Sequence, residues 1–246
     1  MGCGSVQGTV STPTPSAISE AVGTSPSSSS TPVTSAPPNN VAAAVQRSAI
    51  ERSEDELWTL LQQADDRNFV MLIRHATAPG TGDPANFRLG DCSTQRNLSE
   101  EGRQQSIRIG EAFRSRDVPI SRVLSSQWCR CLETAELMNL GKVEPFLPLN
   151  SFFSDRSKAD EQTAQVQQFL LENQAVPGVV VMVSHQVNIT ALSDILPQSG
   201  EAVVMEIGED NQITILGQIS VSHHMDDTEL HSRLRKYRFN GFWKAR

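Results

Sequence analysis

The chain has 246 residues, a formal net charge of −7 and four cysteines. This length is sufficient for one well-buried domain and lies between the usual sizes of one and two domains. The moderately acidic balance argues against nucleic acid as a partner, because binding to a phosphate backbone depends on surplus Lys and Arg. Four irregularly spaced cysteines are too few for a disulfide scaffold, so the fold must depend on a hydrophobic core.

The N-terminal segment, residues 1–46, carries a single charged residue, Glu20, and consists mainly of Ser, Thr, Pro, Ala and Gly. Such a composition cannot bury enough apolar surface to offset the entropy of ordering, so we expect a disordered tether. We expect the domain itself at residues 47–221. Residues 222–246 mix basic and aromatic side chains and are expected to form a C-terminal tail.

The sequence leaves two localisations open. As printed, the chain starts without the basic and apolar regions of a signal peptide and has no apolar run of membrane-spanning length, which predicts a cytoplasmic protein. Met1-Gly2-Cys3, followed by Ser/Thr/Pro residues, nevertheless resembles the sequence after the cleavage site of a bacterial lipoprotein. If translation begins upstream of Met1, Cys3 would carry a lipid and tether the protein to the cell envelope.

The remaining cysteines are Cys92, Cys129 and Cys131. Cys129 and Cys131 lie two residues apart on a predicted helix and therefore face different directions, and no histidine completes a metal-ligand set at a recognised spacing. We therefore predict no metal site. Burial as small apolar side chains is the favoured role, and a bridge from Cys92 to one of the other two is the alternative in an oxidising compartment.

A helix and a strand are the first predicted elements of the domain. Ser53 and Glu56 have the spacing of a capping box, and leucines then recur at helical spacing. Residues 69–73 form an unbroken apolar run, too short for a helix, that ends in Arg74 and His75. Such a run is typical of a buried strand in a parallel sheet, and open α/β sheets bind ligands beyond the carboxyl ends of their strands. We therefore expect His75 at a ligand site.

A long irregular segment, residues 79–97, follows this strand and is rich in Gly, Pro, Asp and Asn. Loops of this length in compact domains are usually functional, so we expect it to cover the mouth of the site. Arg88, Arg96 and Asn97 are the residues in it that we expect to bind substrate. Ser99 then caps a second helix, with acidic residues in its first turn and basic residues in its last.

Residues 122–126 predict a second strand, which leads into a helix with an apolar stripe through Trp128 and Met138. Arg130 lies off that stripe near the helix N-terminus, where backbone N–H groups and the helix dipole favour an anion. A solvated surface arginine is the alternative interpretation of this position.

A second strand that ends in a histidine occurs at residues 178–185, where an apolar run is followed by Ser184 and His185. Two histidines at equivalent strand ends favour one shared site over two separate structural roles. Residues 202–217 read as two strands around a polar turn, a hairpin that would add an antiparallel edge. Together these elements predict an α/β fold with a mostly parallel open sheet.

Four blocks of sequence contain the expected site and its neighbours. In chain order they are Arg74-His75-Ala76, Leu98-Ser99-x-x-Gly102, Ser125-Ser126-x-x-x-Arg130-Cys131-x-Glu133-Thr134-Ala135 and Ser184-His185. In this order, and in these strand and helix contexts, they resemble the histidine phosphatase (phosphoglycerate mutase-like) superfamily. The resemblance implies a three-layer α/β/α fold.

The resemblance also implies roles for the site residues. His75 would be the nucleophile that takes a phosphoryl group, and Arg74, Arg130 and a protonated His185 would surround the phosphoryl oxygens. A neutral imidazole is a good nucleophile near neutral pH and needs neither metal nor cofactor. Charge-assisted donors around the equatorial oxygens stabilise the transition state more than the ground state. The implied activity is a metal-independent phosphatase with a phosphohistidine intermediate.

The general acid is where the chain departs from the family pattern. The family's usual acid is a glutamate in the connection after the second arginine, and here Ser151 stands at about that position. Asp155 is our candidate for the acid, with a loop carboxylate paired to Arg156 or Arg88 as its alternative role. Glu133 is a weaker candidate. A third alternative is a substrate such as phosphohistidine, whose leaving group needs no acid.

The missing glutamate argues against a mutase and favours hydrolysis of a phosphorylated small molecule or phosphoprotein. Within the superfamily, the small domain and the alternative envelope tether are similar to the Ais-like phosphatases associated with lipopolysaccharide phosphates. The small size is also similar to that of the phosphohistidine phosphatases. A non-catalytic phosphate-binding module and a mutase-type phosphotransferase are the alternative functions.

Overall fold

The structure, a computed structural model, describes residues 44–208 and 211–220. Cys3 with the rest of the expected tether up to residue 43, residues 209 and 210 of the hairpin turn, and the C-terminal tail lie outside the described residues. Residues 44–46, which we expected in the tether, instead belong to the first strand. No helix of the described part is long and apolar enough to cross a membrane.

The described residues form seven strands and five α-helices. The strands are β1 (Ala44–Arg47), β2 (Asn68–Arg74), β3 (Ile120–Ser125), β4 (Val143–Pro145), β5 (Gly178–Ser184), β6 (Ala202–Ile207) and β7 (Gln212–Ile219). The helices are α1 (Glu54–Gln62), α2 (Glu100–Arg114), α3 (Cys129–Met138), α4 (Ala159–Glu172) and α5 (Gln186–Ser193). Short 3-10 helices cover Cys92–Thr94, Leu147–Leu149 and Arg156–Lys158.

All seven strands join one sheet in the order β1-β7-β6-β2-β5-β3-β4. Four of the neighbouring pairs are parallel, and only β6 runs antiparallel to its neighbours β2 and β7. The predicted α/β fold with a mostly parallel sheet is therefore confirmed. The β6–β7 hairpin is not itself the edge of the sheet, because β1 pairs in parallel with β7 and lies outside it.

The core has two halves, one on each face of the sheet. Successive side chains of a strand point to opposite faces, and on β2 the residues Phe69, Met71 and Ile73 join the cluster that includes α1, α2 and α3. Val70 and Leu72 join the cluster on the other face, with residues of α4 and α5. Helices thus cover both faces of a fully buried central strand, which explains its continuous apolar sequence.

The predicted caps of two helices are present. Ser53 and Glu56 form the capping box of α1, in which each side chain accepts a hydrogen bond from the other residue's backbone N–H. The Ser99 hydroxyl accepts from the backbone N–H of Gly102 at the start of α2, at 3.0 Å. A Cβ at Gly102 would lie 2.1 Å from the carbonyl oxygen of Thr77. Because only glycine allows this approach, α2 packs directly against the segment that follows β2.

Candidate active site

The two histidines expected at strand ends lie side by side. β2 and β5 are parallel neighbours, and their register pairs Arg74 with Ser184. The residues that follow, His75 and His185, therefore leave the sheet together, and their ring centroids are 5.4 Å apart. The backbone N–H of His75 donates to the Ser184 carbonyl at 2.9 Å, which holds the two strand ends in register.

His75 is buried and its tautomer is set by the backbone. Its Nδ1 lies 2.8 Å from the carbonyl oxygen of Ala76. Because a carbonyl oxygen only accepts, Nδ1 carries the proton and Nε2 keeps its lone pair. Burial, and then the positive charge of Arg130, lower the pKa of His75 from 6.5 to about 3. The imidazole is therefore neutral at pH 7, as a nucleophile requires.

His185 is also buried, and it is neutral rather than protonated. Nδ1 of His185 lies 3.4 Å from Nη2 of Arg130, and its Nε2 lies 2.8 Å from the Ser126 hydroxyl. A guanidinium only donates, so Nδ1 accepts and the Nε2–H donates to Ser126. Burial, with the nearby His75 and Arg130, lowers its pKa well below the ordinary value. Without a bound anion His185 is therefore not the third cation that we expected, because a buried ring beside arginines is a poor place for another positive charge.

Arg130, in the first turn of α3, is bound by a carboxylate that the sequence analysis did not single out. Its Nη1 and Nη2 donate to Oδ1 and Oδ2 of Asp83 at 2.7 and 3.1 Å. Only 3% of the Arg130 side chain and 17% of the Asp83 side chain are exposed. Burial raises the pKa of Asp83, but the hydrogen bond and charge of Arg130 outweigh this and the net pKa is lowered. The pair is thus a bidentate ion pair of a buried arginine and a partly buried aspartate at the centre of the site.

Two further donors hold Asp83 in place. The Trp128 indole N–H donates to Oδ2 at 3.1 Å, and the Arg96 backbone N–H donates to Oδ1 at 3.1 Å. Asp83 belongs to the irregular segment 79–97, which contains only one other carboxylate, Asp91. That scarcity is the one signal in the sequence that could have directed attention to it.

Arg74 and Arg96 line the same cleft as Arg130. Arg74 Nη1 donates to the Pro197 carbonyl at 2.9 Å, and Arg96 Nε donates to the Gly82 carbonyl at 2.8 Å. Burial lowers the pKa of both groups, although both stay cationic because an arginine pKa is far above 7. The structure thus brings three guanidinium groups together with the two histidines in one cleft, and Arg96 is the third cation of the unliganded site.

Two of the expected substrate-binding residues do not line the cleft. Arg88 is exposed, and its backbone, rather than its guanidinium, contacts Thr94 and Gln95. The Asn97 amide donates to the Cys92 carbonyl at 2.7 Å and so stabilises the loop from within. The expected roles of Arg88 and Asn97 are corrected accordingly, because the loop folds back on itself before it returns to α2.

The two acid candidates from the sequence have other partners. Asp155 lines the outer part of the cleft but is exposed, and its pKa is lowered, first by the hydrogen bond from the Ser157 side chain and then by Lys158. Its carboxylate lies 2.6 Å from the Ser157 hydroxyl and 3.3 Å from Lys158 Nζ. Glu133 does not line the cleft and binds Arg103 at 2.6 Å.

The third sequence block joins α3 to the segment after His75. The backbone N–H of Ala76 donates to the Thr134 hydroxyl at 3.1 Å, and that hydroxyl donates to the Arg130 carbonyl at 2.6 Å. One threonine therefore connects the backbone of the histidine-bearing segment to that of the arginine-bearing helix. This link between the two segments explains why a threonine stands one helical turn after Arg130.

A disulfide also attaches the loop to α3. Cys92 and Cys129 are bonded, with Cα atoms 5.7 Å apart, and the Cys129 N–H donates to Gln95 Oε1 at 3.0 Å. Our favoured role for these two cysteines is therefore wrong, and the alternative bridge is the one observed. Cys131 is free and buried, and burial raises the pKa of its thiol to about 12. Only Cys131 behaves as the small buried side chain that we expected.

The cleft above the histidines has a volume of about 550 Å³. The three arginines form the positively charged floor of the cleft. One wall is aromatic, where the rings of Phe87 and Trp128 stack with centroids 4.9 Å apart. Phe153 lines the rim. Among residues 44–208 and 211–220, no group of three or more His, Cys, Asp or Glu side chains is arranged to hold a metal ion. The arrangement is that of an anion site with a neutral imidazole at its base.

Comparison with known proteins finds one matching family. The family model described as histidine phosphatase superfamily (branch 1) matches residues 70–149, a span that includes β2, the loop, α2, β3 and α3. Within residues 70–149 the chain is thus similar to the histidine phosphatase superfamily, as its sequence blocks predict. No curated protein matches the chain.

Several solved structures are similar at low identity. The protein histidine phosphatase SixA complexed with tungstate is 20% identical, with 62% of this chain and 97% of that chain covered and a TM-score of 0.45. The phosphoserine phosphatase from Entamoeba histolytica in complex with phosphoserine is 14% identical (64% and 100% covered, TM-score 0.47). The alpha-ribazole phosphatase from Shigella flexneri is 15% identical (64% and 99% covered, TM-score 0.46).

Proposed function

We propose that this chain is a metal-independent phosphatase that hydrolyses a phosphomonoester, or a phosphoramidate, through a phosphohistidine on His75. The observation that carries the proposal is the tautomer of His75. Its Nδ1 proton is engaged by the Ala76 carbonyl, so the lone pair belongs to Nε2 of a ring that lines the arginine-rich cleft. A buried neutral imidazole beside three guanidinium groups suits capture of a phosphoryl group better than any other ligand class.

The reaction has two displacement steps. In the first, Nε2 of His75 attacks phosphorus and the bond to the leaving group breaks, while the N–H donors of Arg74, Arg96 and Arg130 stabilise the negative charge on the equatorial oxygens. In the second, water attacks phosphorus, the N–P bond breaks and the neutral imidazole is restored. The Ala76 carbonyl accepts from Nδ1–H throughout and stabilises the positive charge that the ring carries as a phosphohistidine.

His185 has a positioning role in this scheme. Its Nε2–H donates to Ser126, and Ser126 in turn donates to Asn150 Oδ1 at 3.2 Å, so that the ring is held by a chain of hydrogen bonds. Its Nδ1 accepts from Arg130 Nη2 and directs that guanidinium toward the cleft. When a phosphoryl dianion binds, its negative charge favours protonation of this ring, and His185 then becomes a donor to the anion.

The substrate class follows from the walls of the cleft. About 550 Å³ accommodates a small phosphorylated molecule or one phosphorylated side chain of a protein. The aromatic wall of Phe87 and Trp128 favours a leaving group with a planar or apolar face. A phosphorylated small molecule and a phosphoprotein both meet these requirements.

Hydrolysis of para-nitrophenyl phosphate in the presence of EDTA tests the proposal. The protein is denatured at alkaline pH during turnover, because phosphohistidine is labile in acid, and peptides are analysed by mass spectrometry. We expect activity in EDTA and one phosphoryl group on the peptide that contains His75. A folded His75→Ala variant should form no adduct and show no turnover.

Two added measurements, binding of inorganic phosphate and turnover with an added alcohol, separate the alternatives. Binding of inorganic phosphate without adduct or turnover would identify a non-catalytic module. Transfer of the phosphoryl group to an added alcohol in preference to water would identify a mutase-type phosphotransferase. Full activity of His75→Ala, or activity abolished by EDTA and restored by a divalent cation, would contradict the proposed mechanism.

A further inference from the structure

The most buried of the three arginines in the cleft, Arg130, is already bound to a carboxylate of the same chain. Both terminal nitrogens of Arg130 donate to Asp83, one to each oxygen. A phosphoryl group presents oxygens to arginine in the same bidentate geometry as a carboxylate. A phosphoryl group bound by the two terminal nitrogens of Arg130 would therefore require the face that Asp83 occupies, and the two could not occupy it together.

We propose that Asp83 is the group that the substrate's phosphoryl oxygens displace from Arg130, and that, once displaced, it donates the proton to the leaving group. This inference rests on the proposed phosphatase function and assigns the proton donor that the missing glutamate leaves open. It makes Asp83 a catalytic residue, because its carboxyl group protonates the substrate's leaving oxygen.

Displacement does not release Asp83 from the cleft. The indole N–H of Trp128 and the backbone N–H of Arg96 hold its oxygens at 3.1 Å each, and neither donor belongs to Arg130. Asp83 itself lines the cleft. When Arg130 turns to the phosphoryl group, the Asp83 carboxyl group thus stays at the cleft wall. There it is held by the two uncharged N–H donors and faces the ligand.

The same displacement makes Asp83 a better acid. With Arg130 paired, that cation contributes most to keeping the pKa of Asp83 low despite burial; the N–H donors of Arg96 and Trp128 lower it further and remain after displacement. When the phosphoryl group takes Arg130, Asp83 loses its strongest cationic partner and gains a negative neighbour, and both changes raise the pKa of a carboxyl group. The other charged groups that line the cleft are Arg74 and Arg96 at its base and Asp155 and Lys158 at its rim. Substrate binding therefore drives Asp83 toward its protonated form.

Protons and bonds balance over the cycle. As the bond between phosphorus and the leaving oxygen breaks, that oxygen takes the proton of the Asp83 carboxyl group and departs as an alcohol. The resulting carboxylate then accepts a proton from the water that attacks the phosphohistidine. The products are inorganic phosphate, neutral His75 and protonated Asp83, which loses its proton to solvent and returns to Arg130 when phosphate leaves.

Asp83 fits this role better than Asp155. Asp155 is exposed, and Ser157 and Lys158 hold its carboxylate through contacts that substrate at the arginines does not break. Its lowered pKa therefore persists when substrate binds. The partner that keeps Asp83 ionised, by contrast, is the group that the substrate itself engages.

Leaving-group dependence tests the inference. The variants are Asp83→Asn, Asp83→Glu and Asp155→Asn, with Asp160→Asn as a matched control, because Asp160 is an exposed carboxylate in the first turn of α4. Each is assayed on dinitrophenyl phosphate, whose leaving group departs without a proton, and on ethyl phosphate, whose leaving group requires one. Inhibition by inorganic phosphate is measured for each variant, and circular dichroism checks that each is folded.

For Asp83→Asn we expect kcat on ethyl phosphate to fall on the order of a hundredfold or more, with little change on dinitrophenyl phosphate. Phosphate should inhibit this variant more tightly, because an amide competes for Arg130 less well than a carboxylate. Asp83→Glu should recover part of the activity on ethyl phosphate, which also covers the case in which Asp83→Asn is unstable. Asp160→Asn should match the unmodified chain in both assays.

Equal losses on the two substrates, unchanged inhibition by phosphate, or a selective loss in Asp155→Asn instead would each overturn the inference. If the proposed phosphatase function itself is wrong, the assays give a different result. In that case dinitrophenyl phosphate yields no phosphohistidine in the unmodified chain. If the adduct forms normally and the Asp83 variants show no leaving-group dependence, the phosphatase proposal stands and only the role of Asp83 is wrong.

Discussion

Removal of the Cys92–Cys129 disulfide should destabilise the domain by an amount that can be worked from its position. The bridge closes a loop with a sequence separation of 37 residues. In the chain-entropy account, a loop of this length restricts the unfolded chain by about 4 kcal/mol at 25 °C. For a domain of this size that corresponds to a fall in Tm of roughly 10 °C.

The assay compares urea unfolding of the oxidised protein with that of the reduced protein and of Cys92→Ser. Cys92 is the residue to replace because it is exposed, so that serine adds no buried polar group. Cys131→Ala, which changes a free buried thiol and leaves the bridge intact, shows how much of any loss comes from core packing alone. Equal midpoints for the oxidised protein, the reduced protein and Cys92→Ser would refute the reasoning.

Three further predictions concern the site and its support. Arg130→Lys should lower kcat/KM on the order of a hundredfold or more, measured on para-nitrophenyl phosphate, because an ammonium cannot replace the bidentate guanidinium; a change below about threefold on that scale would contradict the role of Arg130. Gly102→Ala should lower the free energy of unfolding by about 1–3 kcal/mol and reduce activity, since its Cβ would lie 2.1 Å from the Thr77 carbonyl oxygen; an unchanged urea midpoint would refute the close approach. Because the pKa of His75 is about 3 when folded and 6.5 as its ordinary value, the unfolded chain binds a proton that the folded chain does not between those values, so stability should fall as pH falls from 6.5 toward 3. His75→Asn should weaken that dependence, and an identical pH profile in this variant would count against a neutral buried His75.

The position of the site could be predicted from the sequence because it depends on strand ends. Apolar runs that are too short for helices and stop at Arg74-His75 and Ser184-His185 indicate buried parallel strands. The carboxyl ends of parallel neighbours meet at one edge, so two such histidines have to lie together. The observed pairing of β2 with β5 is the arrangement that this reasoning requires.

The parts that could not be predicted depend on contacts between distant segments. Asp83 lies in a loop without periodicity, and only the folded loop shows that its carboxylate meets Arg130, 47 residues away in sequence. The choice of Cys129 over Cys131 as the partner of Cys92 likewise depends on which residue faces the loop. The neutral state of His185 follows from its burial among cations, which residue types alone do not reveal.

The strand β1 was missed for a related reason. Ala44–Arg47 follows a segment of low complexity and is only four residues long, so its local pattern does not indicate a strand. It forms because β7 offers an open edge, with which it pairs in parallel. Whether residues 44–47 form a strand therefore depends on the neighbouring strand β7 and not on their own sequence pattern.

The position of the phosphoryl group on the His75 ring tests the central claim most directly. Phosphorus NMR of the protein trapped during turnover and denatured at alkaline pH distinguishes the two ring nitrogens. Because Nδ1 donates to the Ala76 carbonyl, we predict a single phosphohistidine at Nε2 of His75. Phosphorylation at Nδ1, at another histidine or at no residue while the substrate is hydrolysed would contradict the account.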